Sequence, residues 1–206
     1  MEKRTRIKGI FFDFDGVITK EKNGSPTMIA YISEEMNIPY DKVYNAYVKY
    51  NDDLLMGNIN HEDMWKAFCT EIGQDIEYDI LKESFMNMTL DKQMLDIIRE
   101  FKENYIIGMI TDNKADRIDA IIDNTELKGL FDSVVISAKV HSRKNENQIF
   151  LQALKETGLN PQECVFIDNT ASNLVAPKNM GFTTVFFDDV KRDYGVIREA
   201  VEQNDI

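Results

Sequence analysis

The chain has 206 residues, of which 43% are hydrophobic and 29% charged, and its formal net charge at pH 7 is −12. This length suits one domain, or a domain with a smaller insertion, and the composition is that of a folded protein. The acidic excess repels phosphate backbones and anionic lipid, so nucleic acid is disfavoured as a partner. Any site for a phosphorylated ligand must be locally positive or hold a metal. No segment approaches the roughly 20 apolar residues that span a bilayer.

The cysteines and the first residues indicate the cellular compartment. Cys69 and Cys164 are far apart and both lie in apolar stretches, which fits reduced core thiols better than a disulfide framework. The first apolar run is too short for a secretory signal and is interrupted by Asp13. We therefore expect a cytoplasmic protein with no membrane partner. The sequence does not indicate its oligomeric state.

Short β-branched or aromatic runs alternate with helical patterns along most of the chain. The runs are apolar almost from end to end, as in strands that are buried on both faces. Alternation of such strands with helices predicts an α/β fold with a Rossmann-like, doubly wound parallel sheet. Pro177 falls inside an expected helix and predicts a kink or a late start there. The predicted strands are 7–14, 105–111, 133–137, 164–168 and 183–187, and the helices between them include 91–103, 115–127 and 146–158.

The stretch between the first two strands is far longer than one crossover helix requires. It contains helical patterns at about 26–37, 41–55, 60–72 and 77–88. We therefore predict an α/β core domain of residues 1–17 and 89–206 and an inserted helical-bundle cap domain of residues 18–88. His61, beside the helix start at Asn60, is expected at the surface.

The run Ile-Phe-Phe-Asp-Phe-Asp-Gly at 10–16 places Asp13 and Asp15 at the end of the first buried strand. Charged groups are costly in such a place unless they have a function. Open α/β sheets bind ligands at the carboxyl ends of their strands, so we expect both carboxylates at a functional site. The alternative is a solvated, turn-forming Asp-Gly.

Four motifs in order resemble the haloacid dehalogenase-like hydrolase superfamily, specifically members with a helical cap inserted after the first strand. They are Asp13-Phe14-Asp15-Gly16-Val17, Thr111 at the end of strand two, Lys144 in Arg143-Lys144-Asn145, and Phe166-Ile167-Asp168-Asn169 followed by Gly181-Phe182. The resemblance runs from Lys8 to about Phe187. It implies five core strands in the order five-four-one-two-three, with the four motifs at one sheet edge.

The resemblance also implies catalytic roles for four residues. Asp13 is the candidate nucleophile that forms an aspartyl phosphate. Asp15 projects to the same side as Asp13 if the strand continues, and it would protonate the leaving oxygen and then deprotonate water. Thr111 offers a hydroxyl and Lys144 a charge to the phosphoryl oxygens. Taken singly, these two residues would more often be a strand-ending threonine and a solvated lysine, because both residue types are usually exposed. An aspartate at position 15 is typical of phosphatases and phosphomutases, and dehalogenases lack it.

The fourth motif departs from the family, because an aspartate usually occupies the position of Asn169 and binds magnesium. The predicted Mg²⁺ ligands are therefore Asp13, the backbone carbonyl of Asp15, Asn169 through its amide oxygen, and Asp168 either directly or through water. We expect weaker metal binding than in a relative with aspartate. The alternative is that 168–173 is only a helix N-cap loop.

These residues favour a magnesium-dependent phosphomonoester hydrolase that acts on a small phosphorylated metabolite through an aspartyl-phosphate intermediate. Within the enzyme class the alternative is a phosphomutase of the β-phosphoglucomutase kind. Outside it, the departure at Asn169 leaves open a non-catalytic phosphate-binding or regulatory protein. The sequence does not identify the substrate.

Overall fold

A computed structural model describes residues 6–202, and its centre is a five-stranded parallel sheet. The strands are β1 (Gly9–Phe12), β2 (Ile106–Thr111), β3 (Ser133–Ile136), β4 (Cys164–Asp168) and β5 (Thr183–Phe186). Their order is β3-β2-β1-β4-β5, which is the predicted order read in reverse. The predicted fold class is confirmed.

The first strand lies at the centre of the sheet, between β2 and β4. Its residues Gly9 to Phe12 pair in register with Ile106 to Met109 on one side and with Cys164 to Ile167 on the other. All four residues of β1 are buried, as the apolar run predicts. Because the strands are parallel, the residues that follow β1, β2 and β4 come together at one edge of the sheet.

Helices cover both faces of the sheet, and the side chains of β1 alternate between them. Ile10 and Phe12 pack in the same cluster as the apolar residues of the helices at 92–102, 115–124 and 195–202, whereas Phe11 packs with those of the helices at 147–157 and 175–180. Apolar contacts on both faces explain why β1 has no polar position. The helices that follow the inserted segment and accompany the sheet are α5 (Lys92–Lys102), α6 (Ala115–Asn124), α7 (Ser137–Val140), α8 (Asn147–Thr157), α9 (Val175–Met180) and α10 (Gly195–Glu202).

Four helices lie between β1 and β2: α1 (Gly24–Glu35), α2 (Tyr40–Met56), α3 (His61–Ile72) and α4 (Tyr78–Met86). We call them the inserted helices. Asn60 and Asp63 form a capping box that starts α3. An antiparallel bridge between Thr19 and Leu90 joins the two chain segments that connect these helices to the sheet. Their apolar residues join the same cluster as those of β1 and α5. The domain bounds at 17–18 and 88–89 stay a prediction.

Two local features differ from or refine the sequence analysis. The first strand ends at Phe12 and a turn follows, so Asp15 does not continue a strand. A short 3₁₀ turn at Ala171–Leu174 delays α9, which places Pro177 near its beginning, where proline is tolerated. No helix within residues 6–202 is long and apolar enough to cross a membrane.

Candidate active site

Asp13 and Asp15 reach one pocket from the turn that follows β1. The backbone N–H of Asp13 donates to the Ile167 carbonyl at 2.9 Å, so the turn begins with a contact to β4. Gly16 has a φ of 81°, a left-handed value that glycine adopts without strain. A Cβ at Gly16 would lie 2.1 Å from Nδ2 of Asn169, so this glycine also allows the two motifs to approach each other.

The ammonium group of Lys144 joins Asp13 to Asp168. Its Nζ lies 2.7 Å from Oδ1 of Asp13 and 2.6 Å from Oδ2 of Asp168, and the lysine is 2% exposed. The backbone N–H of Lys144 donates to Oδ1 of Asp112 at 2.9 Å, which holds the loop against the end of β2. Burial alone would lower the pKa of Lys144, but the surrounding carboxylates hold it above its ordinary value. The lysine is therefore charged and fixed.

Asp13 shares this positive charge with a second carboxylate. Burial raises the pKa of Asp13 to about 7; Lys144 opposes the shift, while repulsion from Asp168 adds to it. Asp168 is fully buried. Its Oδ1 accepts from the backbone N–H of Thr170 at 2.7 Å, and Asn173 Nδ2 donates to both of its oxygens at 3.2 and 3.3 Å. Asp168 thus orients Lys144, and direct metal binding by its carboxylate stays a prediction.

The surroundings of Asn169 fit a hard divalent cation. Asn169 is 6% exposed, and within the described part of the chain its Nδ2 has no hydrogen-bond partner. No hydrogen bond from that nitrogen therefore fixes the amide, whose oxygen is the kind of ligand Mg²⁺ takes. Asp13 and Asp168 together carry one negative charge more than Lys144 neutralises, which a cation would offset. Within residues 6–202, no three His, Cys, Asp or Glu side chains form a metal cluster, and metal binding by Asn169 stays a prediction.

The predicted residues Asp13, Asp15, Thr111, Lys144 and Asn169 all line one pocket of about 320 Å³. A pocket of this size suits a small metabolite. The opposite wall comes from the inserted helices, through Ser25, Ile29, Tyr44, Tyr47, Val48, Asn51 and Leu55. The structure therefore brings the predicted residues together, while their catalytic and metal-binding roles stay predictions.

Further polar residues follow β2 and were not predicted as site residues from the sequence. They are the run Asp112-Asn113-Lys114 and Arg117. Lys114 Nζ donates to Ser25 Oγ and to Asn51 Oδ1 at 2.9 Å, and burial lowers its pKa to about 7, with repulsion from Arg117 adding to the effect. Like Asp13, this run comes directly after a buried strand. The same sheet-edge argument would have found it.

Of the two histidines, His61 occupies a different place from the one that its sequence context indicates. His61 was predicted at the surface, but it is fully buried, and this prediction is wrong. Its Nδ1 lies 2.8 Å from Oδ2 of Asp116, and its Nε2 lies 2.8 Å from the Tyr47 hydroxyl. Two tertiary partners thus satisfy a buried imidazole. His141 has a φ of 51°, and its Nδ1 donates to the Met56 carbonyl at 2.7 Å.

Comparison with known proteins agrees with this geometry. The structure has a parallel sheet, two carboxylates after its central strand and a buried lysine beside them. The family description "haloacid dehalogenase-like hydrolase" matches residues 7–181, and the chain belongs to this family. The resemblance seen in the motifs is confirmed, as is the prediction of an enzyme of the phosphatase type.

Two curated proteins and one solved structure illustrate the similarity. The chain is 27% identical over 203 residues to glyceraldehyde 3-phosphate phosphatase of Pyrococcus furiosus, covering 88% of this chain and 81% of that protein. It is 25% identical over 200 residues to β-phosphoglucomutase of Bacillus subtilis, covering 87% and 82%. A haloacid dehalogenase family enzyme of Bacteroides thetaiotaomicron, solved as a magnesium complex, has the same fold, with a TM-score of 0.78 and 15% sequence identity. The match covers 94% of this chain and 100% of that chain.

Proposed function

We propose that this protein is a magnesium-dependent phosphomonoesterase that hydrolyses a small phosphorylated metabolite through an aspartyl phosphate on Asp13. The observation that carries the proposal is the convergence of Asp13, Asp15, Thr111 and Lys144 on one pocket of about 320 Å³. An aspartate at position 15 favours phosphoryl chemistry over dehalogenation. The similarity to a glyceraldehyde 3-phosphate phosphatase supports a small phosphorylated substrate.

The first chemical step transfers the phosphoryl group to the protein. An oxygen of Asp13 bonds to phosphorus while the bond from phosphorus to the substrate oxygen breaks, and Asp15 donates a proton to that leaving oxygen. Lys144 holds the Asp13 carboxylate at 2.7 Å and offers positive charge to the phosphoryl oxygens. Thr111, which is 1% exposed at the end of β2, offers its hydroxyl to the same group.

The second step returns the phosphoryl group to water. A water oxygen bonds to phosphorus, the bond from phosphorus to Asp13 breaks, and the proton of that water passes to Asp15. Asp13, Asn169 and the backbone carbonyl of Asp15 would hold Mg²⁺, which when bound neutralises charge on the phosphoryl oxygens. The inserted helices form the wall that would exclude bulk water during both steps.

Phosphate release from a panel of phosphorylated metabolites and an aryl phosphate, with and without magnesium, tests the proposal. Asp13→Asn keeps the shape of the side chain and removes the attacking charge, so turnover should fall to background. Its thermal midpoint should equal or exceed that of the wild type, because burial disfavours the ionised carboxylate it replaces. Asp188→Asn is a matched control, since Asp188 follows β5 and lies outside the pocket lining.

Two results would contradict the proposal. Activity of Asp13→Asn comparable to the control would exclude covalent catalysis by that residue. The absence of any turnover by the unmodified protein would favour a binding or regulatory role.

A phosphomutase remains the second candidate, supported by the similarity to a β-phosphoglucomutase. Such an enzyme would return the phosphoryl group to a sugar instead of to water. Product analysis separates the two, because hydrolysis gives free phosphate and mutase activity gives an isomerised sugar phosphate.

The proposed setting is the cytoplasm, without nucleic-acid or membrane partners. Cys69 and Cys164 are both buried and free, which suits a reducing compartment. The net charge of −12 disfavours polyanionic partners.

A further inference from the structure

Arg117 is a buried cation that forms a bidentate contact with a carboxylate of the pocket. It lies in the first turn of α6 and is 2% exposed. Its two terminal nitrogens donate to the two oxygens of Asp15, Nη1 to Oδ2 and Nη2 to Oδ1, each at 2.9 Å. A bidentate contact of this kind fixes the plane of a carboxylate, whereas a single hydrogen bond leaves it free to rotate.

Asn113 completes a ring of three side chains around this contact. Its Nδ2 donates to Oδ2 of Asp15 at 2.8 Å, and its Oδ1 accepts from Nη1 of Arg117 at 3.0 Å. Oδ2 of Asp15 therefore accepts two hydrogen bonds and Oδ1 accepts one. An ionised carboxylate has about four acceptor positions, two on each oxygen. The ring thus occupies Oδ2 and leaves an acceptor position on Oδ1.

The guanidinium lies between the inserted helices and the sheet. A Cβ added to Gly24, the first residue of α1, would lie 2.3 Å from both Cζ and Nη1 of Arg117. On the core side, Cζ lies 5.5 Å from the centre of the Phe14 ring. Gly24 therefore lets the backbone of α1 cover Arg117 closely.

The cost of burying this group argues against a purely stabilising role. Within the described residues, Nε of Arg117 is buried with no hydrogen-bond partner, and an unsatisfied buried donor is destabilising. Buried ion pairs often contribute less stability than apolar residues of similar volume. Stability alone therefore does not account for an arginine at this position, whereas control of Asp15 does.

We propose that Arg117 is a positioning residue that, with Asn113, holds Asp15 so that its Oδ1 accepts the proton of the water that attacks the aspartyl phosphate. The inference rests on the proposed function and extends it to a residue that touches no reacting atom. In this step the water oxygen bonds to phosphorus, the bond from phosphorus to Asp13 breaks, and the water proton passes to Asp15.

Without Arg117, the attack of water on the aspartyl phosphate should slow more than the transfer of the phosphoryl group to Asp13, provided that the leaving group needs no proton. An aryl phosphate with an acidic phenol has such a leaving group, whereas an alkyl phosphate needs an acid. Arg117→Met should therefore release phenol in a stoichiometric burst, accumulate phosphorylated protein and lower kcat by about 10²-fold or more. On the alkyl phosphate it should lose activity without a burst.

The experiment follows phenol release in the first turnover and measures the mass of acid-quenched protein for one added phosphoryl group. Arg198→Met is a matched control, because Arg198 also makes a bidentate contact, to Glu100, but lies outside the lining of the active-site pocket. This control should behave as the unmodified protein.

Two further variants separate positioning from structural damage. Asp15→Asn alone should also accumulate phosphorylated protein, and combining it with Arg117→Met should add little further loss, because both act through one group. Gly24→Ala keeps Arg117 but forces its guanidinium to move. Gly24→Ala should give the same burst, and it replaces Arg117→Met in the experiment if Arg117→Met does not fold.

Two results would overturn this inference and leave the proposed function standing. The first is that the unmodified protein turns over but Arg117→Met or Gly24→Ala shows no burst. The second is that the activity losses of Arg117→Met and Asp15→Asn are additive. No turnover by the unmodified protein on any phosphate would overturn the proposed function, and this inference with it.

Discussion

Two buried carboxylates share one ammonium group at the centre of the site. Lys144 contacts Asp13 at 2.7 Å and Asp168 at 2.6 Å, so one ammonium group faces two carboxylates. Asn169 contributes a neutral amide where a family member with aspartate would contribute a further charge. We therefore expect the metal affinity of the proposed site to depend on the side chain at position 169.

Asn169→Asp should tighten magnesium binding, because carboxylate charge largely determines how firmly a hard cation is held. We expect half-saturation at about tenfold lower magnesium, which corresponds to ~1.4 kcal/mol. The measurement is phosphatase rate against magnesium concentration for both proteins. Asn124→Asp, at an exposed position of α6, controls for the added charge. Coincident curves for Asn169→Asp and the wild type would exclude Asn169 as a ligand.

At the scale of elements, the end of α2 is joined closely to α7. Gly57, with a φ of 70°, follows α2, and a Cβ there would lie 1.8 Å from the Ala138 carbonyl oxygen. Ser137 Oγ donates to the Leu55 carbonyl at 2.7 Å, and His141 donates to that of Met56. Because α2 carries Tyr47 and Asn51 into the pocket wall, this contact positions part of the site.

Gly57→Ala should destabilise the protein and reduce its turnover, because the added methyl group displaces α2 from α7. Gly158→Ala is a matched control: Gly158 has a φ of 69°, and a Cβ there would have no neighbour within 4 Å. The control should lose about 1–2 kcal/mol from the left-handed backbone alone and keep its activity. Gly57→Ala should lose more than this. Urea unfolding and phosphatase rate measure both effects, and equal losses would exclude the contact as the cause.

At the scale of the whole molecule, a buried hydrogen-bonded chain connects the inserted helices to the sheet layer. Tyr47 of α2 donates to His61 of α3, which donates to Asp116 of α6. Burial lowers the pKa of His61, so the folded protein holds it neutral. The unfolded chain protonates it below its usual pKa of about 6.5.

The stability supplied by neutral His61 is therefore present above about pH 6.5 and lost as the pH falls below it. The pKa values of Asp13 and Lys114 lie in the same range, and both groups also contribute to the pH dependence of stability. The informative quantity is therefore the difference between a histidine variant and the wild type in how the unfolding free energy changes with pH. Between pH 7.5 and 5.5, His61→Gln should lose less unfolding free energy than the wild type. His141→Gln, at the exposed histidine, should follow the wild type. Equal slopes for His61→Gln and the wild type would contradict a neutral buried imidazole.

The sequence by itself determined the sheet and the candidate site that it carries. Buried parallel strands need apolar side chains on both faces, so β1, β2 and β4 are recognisable from composition alone. The residues that follow such strands must meet at one edge, which is why Asp13 and Asp15 could be assigned to a functional site without coordinates. Thr111 and Lys144 were grouped with them by the resemblance to the haloacid dehalogenase-like family.

Only the tertiary structure decided how these groups are held. Asp15 contacts Arg117, which is 102 residues away in the chain, and His61 contacts Asp116 across 55 residues. A local pattern marks a side chain as polar but does not identify its distant partner. For that reason His61 was predicted at the surface and Arg117 was not predicted as a site residue. Contacts between distant segments depend on how the inserted helices pack on the sheet, and no periodicity in the sequence encodes that arrangement.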